Sequence, residues 1–413
     1  MEYLELDLGL TDEQAALKKS VHRFAREVIR PAAIQLEALA GPEDVIKKES
    51  IYWDVMRQMK ELGYHTVFIP DHFGGMGLSP LELHIFWEEI AWGSVGLAVS
   101  LGVDTFPSFF ASMVGEDELI KNIVDPFVNN TDCSFIGCWA ITEPDHGSDT
   151  LMVGTPYFHD PGITGNVKAR RDGDGWLISG QKSSWVSNGP IATHALLFLN
   201  IDQSMGMAGG GIAVMPLDLP GVSRGKPLNK MGQRDLPQGE IFFDNVRIPG
   251  WCMVSDPETY EAMLDMTLAT ANATMGAFFT GVARAAFEEA LRYSRERVQG
   301  GKPLCEHQLV QKKLFDMFMK VETARAISRK AYIYNMSVSP PRTEYSIASK
   351  VYCTQAAFEV AHEAVQLFGG YGVSKEYHVE KLFRDARASL IEDGSNDILA
   401  LSAALAVLRN YGE

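Results

Sequence analysis

The chain is short of cysteine, of positive charge and of long apolar runs. Its five cysteines, Cys133, Cys138, Cys252, Cys305 and Cys353, are scattered, odd in number and form no CxxC pair. That spacing excludes a disulfide framework and points to reduced thiols in a cytoplasmic setting. Lys and Arg total 37 against 53 Asp and Glu, a net charge of −16. Such a surplus opposes nonspecific binding to nucleic acid or to an anionic membrane, although a few local cations can still hold a phosphate. No unbroken run of 18 apolar residues occurs, so no membrane span is expected. The start, Met1-Glu2-Tyr3-Leu4-Glu5, is acidic and has neither a basic leader nor an Arg-rich transit pattern. The ten histidines show no metal-ligand spacing, so no metal site is expected. The Rossmann glycine fingerprint, the P-loop, HExxH and GxSxG are all missing, so a bound dinucleotide must be held in some other way.

What is present falls into three regions. At 413 residues the chain is too long for one ordinary core. Thr11-Asp12-Glu13-Gln14 fits a capping box, and Leu17, Val21, Phe24 and Val28 follow at helical spacing up to Pro31, which is expected to stop the run. Residues 51–62 and 79–114 continue in helical style around a Gly-rich turn at 69–79. From about 134 the grammar changes. Segments 175–189, 194–201, 211–218 and 239–249 are short, β-branched or aromatic, and bounded by Gly, Pro, Asn and Asp. From about 258 helical periodicity returns in stretches near 258–299, 305–336, 344–368 and 396–409. The expected fold is α+β and multidomain: an N-terminal helical domain (1–133), a middle antiparallel β-barrel or sandwich (134–250) and a C-terminal four-helix bundle (251–413). The patch at 205–211 reads as a mobile hairpin rather than a phosphate loop.

Several short segments have both a plain structural reading and a chemical one. AITEPDHGSD (140–149) is a polar turn, or a loop that offers backbone N–H groups and the Thr142 and Ser148 hydroxyls to a ligand. SWVSNG (184–189) puts Trp185 and Ser187 on one face if extended, which is either a core indole or a stacking surface beside a hydroxyl. The stretch 230–249 reads as mainly structural. Arg297 before Gly300-Gly301, Gln308, and Gly369-Gly370 after Gln366 fit helix capping or a close backbone approach to phosphate or ribose. Glu392 and Asp393 before Gly394 are a solvated helix cap or a general base on a tight turn.

Taken in order, these blocks resemble the acyl-CoA dehydrogenase family across residues 8–410. The counterparts are TEPxxGSD at 142–149, the aromatic-x-x-N-G block at 185–189 and KMGxR at 230–234. They continue with R-x-x-x-G-x-P-x-x-x-x-Q at 297–308, QxxGGxG at 366–372 and RDxR followed by I-x-acid-G from 384. The resemblance implies FAD, an acyl-CoA substrate, a homotetramer and an electron-transferring flavoprotein as acceptor. It places Trp139, Ile141, Thr142, Trp185 and Ser187 along the isoalloxazine ring and Ser148 near the pantetheine. It places Arg297, Gln308, Gln366 and Gly370 against the FAD of a neighbouring subunit, and Ser395 on FAD beside the catalytic turn with Gly394.

Two positions depart from the family pattern. Asp393 stands where many members have the catalytic Glu, one C–C bond shorter, about 1.5 Å. Asn272 stands where many have an Arg close to the base, and Ala271, the alternative base position, is no acid. The acidic candidates for the base are therefore Asp393, Asp104 on the acyl-wall segment, and Glu392, which falls where the family has an aromatic facing elsewhere. The implied reaction is α,β-desaturation. Segment 91–114 mixes small residues with Trp92, Phe106, Phe109 and Phe110 and has no Lys or Arg, which favours a bulky or cyclic acyl group. Two other readings are a different or non-oxidative elimination on a cyclic thioester, with Asp104 as base, and a non-catalytic flavoprotein subunit.

Overall fold

The computed structural model describes residues 9–411, and the acidic stretch Met1-Glu2-Tyr3-Leu4-Glu5 lies outside them. Helix α1 (Asp12–Phe24) opens with the expected capping box, the Thr11 side chain accepting from Gln14 N and the Gln14 side chain accepting from Thr11 N. Pro31 does not stop the run. A π-turn over Ala25–Ile29 shifts the backbone pairing, and Pro31 falls in the first turn of α2 (Arg30–Glu37), where a missing N–H is harmless. Three longer helices follow, α3 (Ile51–Glu61), α4 (Pro80–Gly93) and α5 (Val95–Val114). Ser94 separates the last two, extended in backbone and capping α5 through its hydroxyl. Helix α5 is long and apolar enough to cross a membrane by length and composition alone, with mean hydropathy 1.4, but 78% of that window is buried inside the protein. Its Gly, Ser and Asp residues break the apolar run without lowering the average much.

The middle of the chain forms an eight-stranded sheet ordered β6-β7-β3-β2-β4-β5-β8, with β1 on β4. The strands are β1 (Gly137–Ala140), β2 (Lys168–Asp172), β3 (Gly175–Lys182), β4 (His194–Asn200), β5 (Gly210–Pro216), β6 (Val222–Arg224), β7 (Ile241–Pro249) and β8 (Met253–Ser255). Most pairings are antiparallel, but β1–β4 and β2–β4 are parallel. One edge of β4 is shared, β1 covering His194–Leu197 and β2 meeting Asn200. Where β1 ends at Ala140 the chain leaves the sheet, and residues 141–148 are free to form a loop. The turn at 184–185 is not strand, since β3 ends at Lys182, and Ser187 makes only an isolated bridge to Gln238. The 205–211 patch is packed rather than exposed along its second half: Gly206, Met207, Ala208 and Gly209 are buried.

Strand alternation divides the interior into two cores. Ala195, Leu197 and Leu199 of β4 point into the sheet's own core, with Ala213 and Met215 of β5. Leu196, Phe198, Ile212 and Val214 point the other way, into a core shared with the helices. Trp139 on β1 falls on this helix side.

The C-terminal helices are α6 (Tyr260–Glu296), α7 (Gln308–Ser337), α8 (Thr343–Phe368), α9 (Val379–Ala388) and α10 (Asn396–Asn410). Helix α9 is an addition to the four expected. Helix α6 packs against α4 at very short range. A Cβ on Gly281 would sit 2.3 Å from Glu88 O and 2.9 Å from Trp92 N. Next to that contact, Arg284 is buried and paired with Glu88 at 2.8 Å and with Glu89. Gly281→Ala is therefore expected to push α4 and α6 apart and to lower stability by about 1–3 kcal/mol, read from the urea-unfolding midpoint.

Candidate active site

A cavity of about 1110 Å³ opens between the sheet and the helices. Four pieces of chain wall it: the 141–148 loop, the turn at 183–187, the loop at 229–233, and the turn at 391–394 between α9 and α10. Helices α5 and α6 close its apolar end, through Val99, Val103 and Phe106 and through Ala271, Met275 and Phe278.

The loop after β1 is held from beneath by one acid. Glu143 is buried, accepts from Lys182 Nζ at 2.8 Å and from Val167 N at 3.1 Å, and also takes Asn166 N. Lys182 donates in addition to Ile141 O at 2.9 Å. With the loop pinned there, Ile141, Thr142, Gly147 and Ser148 line the cavity. Trp139 lines it too, and its Nε1 is buried without a hydrogen-bond partner. Trp185 and Ser187 line the cavity from a turn rather than a strand. Gln238 Nε2 holds them there, donating to Trp185 O at 3.1 Å and to Ser187 Oγ at 3.0 Å. The Trp185 side chain is left 56% exposed.

Opposite stands the acidic turn. Asp393 has φ 51°, in the left-handed region that Asp tolerates better than most residues. Both Glu392 and Asp393 line the cavity, so Glu392 does not face elsewhere as the family pattern implied. Gln233 Nε2 donates to Glu392 Oε1 at 2.6 Å, while Gln233 N is tied to Asp385 Oδ1 at 2.5 Å. Burial pushes Asp393 up to about 6, against the pull of Lys350. Burial and the neighbouring Asp393 push Glu392 up to about 7, against the Gln233 hydrogen bond, Lys350 and Lys230. Both acids of the turn thus sit above the usual carboxylate range. Ser148 Oγ accepts from Ser395 N at 2.9 Å, which stitches the sheet's loop to this turn. Gly394 lines the cavity beside it.

Not every expected residue converges. Asp104 is wholly buried outside the cavity lining, 2.7 Å from Lys60 Nζ and accepting from Gly137 N at 2.7 Å. It is an ion-paired strut between α3, α5 and β1 rather than a base. Asn272 also turns away, buried and donating to Leu268 O at 2.9 Å, while Ala271 faces the cavity. Arg297, Gln308, Gln366 and Gly370 lie on the outside of the helical bundle, exposed and apart from the cavity. Conversely, Lys230 and Gln233, in a stretch read as mainly structural, do line the cavity. Nothing local in KMGQRD signals this, because the partner of Gln233 lies 159 positions along the chain.

Comparison with known proteins decides the family. Residues 11–130, 138–246 and 262–408 match the N-terminal, middle and C-terminal domains of acyl-CoA dehydrogenase respectively. The chain belongs to the acyl-CoA dehydrogenase family. It is 32% identical to benzylmalonyl-CoA dehydrogenase of Aromatoleum aromaticum, covering 97% of this chain and 99% of that one. Cyclohexane-1-carbonyl-CoA dehydrogenase of Geobacter metallireducens is 30% identical, over 97% and 98%. The butyryl-CoA dehydrogenase structure from Megasphaera elsdenii superposes with a TM-score of 0.85 at 28% identity, over 98% and 100%.

This acyl-CoA dehydrogenase is a flavin-dependent oxidoreductase that uses FAD. The cavity fits a flat heterocycle: an indole face at Trp185, an unpaired N–H at Trp139 and a hydroxyl at Ser187 converge on it. At Gly147, where a close ligand needs room, no atom lies within 4 Å of the Cβ position.

The strut reading of Asp104 has a measurable consequence. Asp104→Ala strands the Lys60 ammonium and is expected to cost roughly 3–5 kcal/mol in urea unfolding. The double change Lys60→Met with Asp104→Leu should recover most of that loss and leave flavin reduction per folded molecule intact.

Proposed function

We propose that this dehydrogenase α,β-desaturates a bulky or cyclic acyl-CoA, with Asp393 as the base that removes the α-proton. The observation that carries this reading is the state of the Asp393 carboxylate. It faces the cavity and, unlike Glu392, accepts no hydrogen bond among the described residues. With no hydrogen bond to give up, its oxygens are free to take a proton.

The chain supplies the rest of the chemistry by position. The Asp393 and Gly394 N–H groups have no hydrogen-bond partner among the described residues. They are suited to receive the thioester oxygen as negative charge develops on it. Ser148 and Gly394 flank the same opening, where the pantetheine enters. FAD, when bound, supplies the two-electron acceptor for the hydride that leaves the β-carbon. The apolar end excludes water, which keeps Asp393 basic and protects the developing enolate.

Substrate class follows from that end. Gly102 leaves room between Val99, Val103, Phe106 and Phe278, and none of these can hold a second carboxylate. An uncharged, wide acyl group suits such a wall, and one relative is named for cyclohexane-1-carbonyl-CoA, whose acyl part is an uncharged ring. For assembly we propose a homotetramer in which Arg297, Gln308, Gln366 and Gly370 reach a neighbouring subunit's FAD. Leu309 and Phe315 are exposed on the same helix as Gln308, which supports a covered face there. An electron-transferring flavoprotein as acceptor and a cytoplasmic location complete the proposal.

Two measurements test it. Anaerobic bleaching of the flavin should be faster with cyclohexane-1-carbonyl-CoA than with butyryl-CoA, and absent with glutaryl-CoA; a preference for glutaryl-CoA would overturn the substrate class. Asp393→Asn should lower the rate of flavin reduction by about 10²–10⁴-fold with FAD retained. Because the base acts only when ionised, the wild-type rate should climb with pH through a limb near 6 or above.

A further inference from the structure

The turn that carries Asp393 is held by a charge the mechanism does not use. Lys350, on α8, is 0% exposed. A buried ammonium is costly unless all its donors are satisfied, and it usually sits against a carboxylate. Here the donors are satisfied, but by neutral oxygens. Nζ donates to Ser389 O at 3.0 Å, to Gly394 O at 2.8 Å and to Asn396 Oδ1 at 2.7 Å. Asn396 is fixed in turn by its Nδ2, which donates to Thr354 Oγ1 at 3.0 Å, one helical turn beyond Lys350 on α8. Ser389 and Gly394 lie on either side of Asp393, so one ammonium grips the segment at both ends. No carboxylate lies within salt-bridge distance of Nζ among the described residues, and the charge remains unneutralised at contact range. Burial lowers this lysine to about 8, against the pull of Asp393 and then Glu392, so the ammonium is the form present on the acid side of that value.

We infer that Lys350 is a positioning residue for proton abstraction: its ammonium clamps the turn bearing Asp393 and, left without a contact counter-ion, favours the ionised form of that carboxyl. The inference rests on Asp393 as the base. The other charged groups on this field are Glu392 on the same turn, Lys230 on the 229–233 loop, Arg387 on α9, Glu143, Asp145 and His146 on the loop after β1, and Glu240. None of these donates to the backbone of the 389–394 segment, so the grip belongs to Lys350.

The test uses FAD-loaded enzyme and whichever of butyryl-CoA and cyclohexane-1-carbonyl-CoA bleaches the flavin faster. Two readouts are followed from about pH 5 to 9: kcat, and exchange of the thioester α-proton with solvent deuterium. Lys350→Met removes both grip and charge. Asn396→Asp keeps the fold's shape but sets a carboxylate against Nζ, neutralising the field, and it decides the matter alone if the first variant fails to fold. Both should move the acid limb up by about one pH unit. Lys350→Met should also cut kcat by about 10–100-fold, with KM changed less than about threefold. A purely structural lysine would lower the thermal midpoint and leave the limb in place, and that result would overturn the inference. Asp393→Asn separates the two readings: if it still exchanges the α-proton, the base assignment has failed, whereas an exchange-dead Asp393→Asn with an unmoved limb in both other variants refutes only the role of Lys350.

Discussion

Charge removed from water must be matched, and in this protein matched charges set how the helices sit on the sheet. Lys60 and Asp104 join α3 to α5 and reach β1 through Gly137 N. Arg284 joins α6 to α4 through Glu88 and Glu89. Lys381 on α9 lies 2.6 Å from Asp385 and 3.4 Å from Asp235, and Asp235 also takes the hydroxyl of Ser94. Glu143 and Lys182 pin the loop after β1. Each cluster crosses between regions far apart in the chain, and half a pair left buried is strongly unfavourable. The cavity is where that matching stops. Asp393 and Glu392 line it half-buried and without a cation in contact, and both are held above the usual carboxylate range. Reactivity here is a local exception to the rule that organises the rest.

The apolar framework does the complementary task. Because β4 buries side chains on both faces, the sheet presents one surface to its own core and the other to the helices. The parallel pairing of β1 onto β4 leaves Ala140 at the sheet's end, and a ligand-facing loop follows at once. Trp139 on β1, Thr142 on the loop after it, and Trp185 and Ser187 on the turn at 183–187 meet there, and the acidic turn comes from the far side. The site therefore exists only at the junction of the three regions. Lys350 works at the same junction, tying the acidic turn to the body of α8.

The places where local reading failed are informative. Pro31 looked like a stop because a proline inside a helix lacks an N–H, yet the π-turn before it made that N–H unnecessary. The polar face of RDAR masks helix α9 in the sequence, although Val379, Leu382 and Ala386 are buried at helical spacing. Trp185 and Ser187 were brought together as expected, but by Gln238 across a turn and not by strand alternation.

Periodicity and turn chemistry in the sequence were enough to order helices, then sheet, then helices, and the spaced blocks from Thr142 to Ser395 were enough to indicate a flavin and a thioester. Those features are local: each depends on residues a few positions apart. Which acids are free and which are spent was decided only by the tertiary structure. Asp104, Glu392 and Asp393 are equivalent carboxylates on paper. Lys60 neutralises the first, Gln233 restrains the second, and Lys350 holds the third without touching its carboxylate, since burial and long-range pairing belong to the folded chain alone.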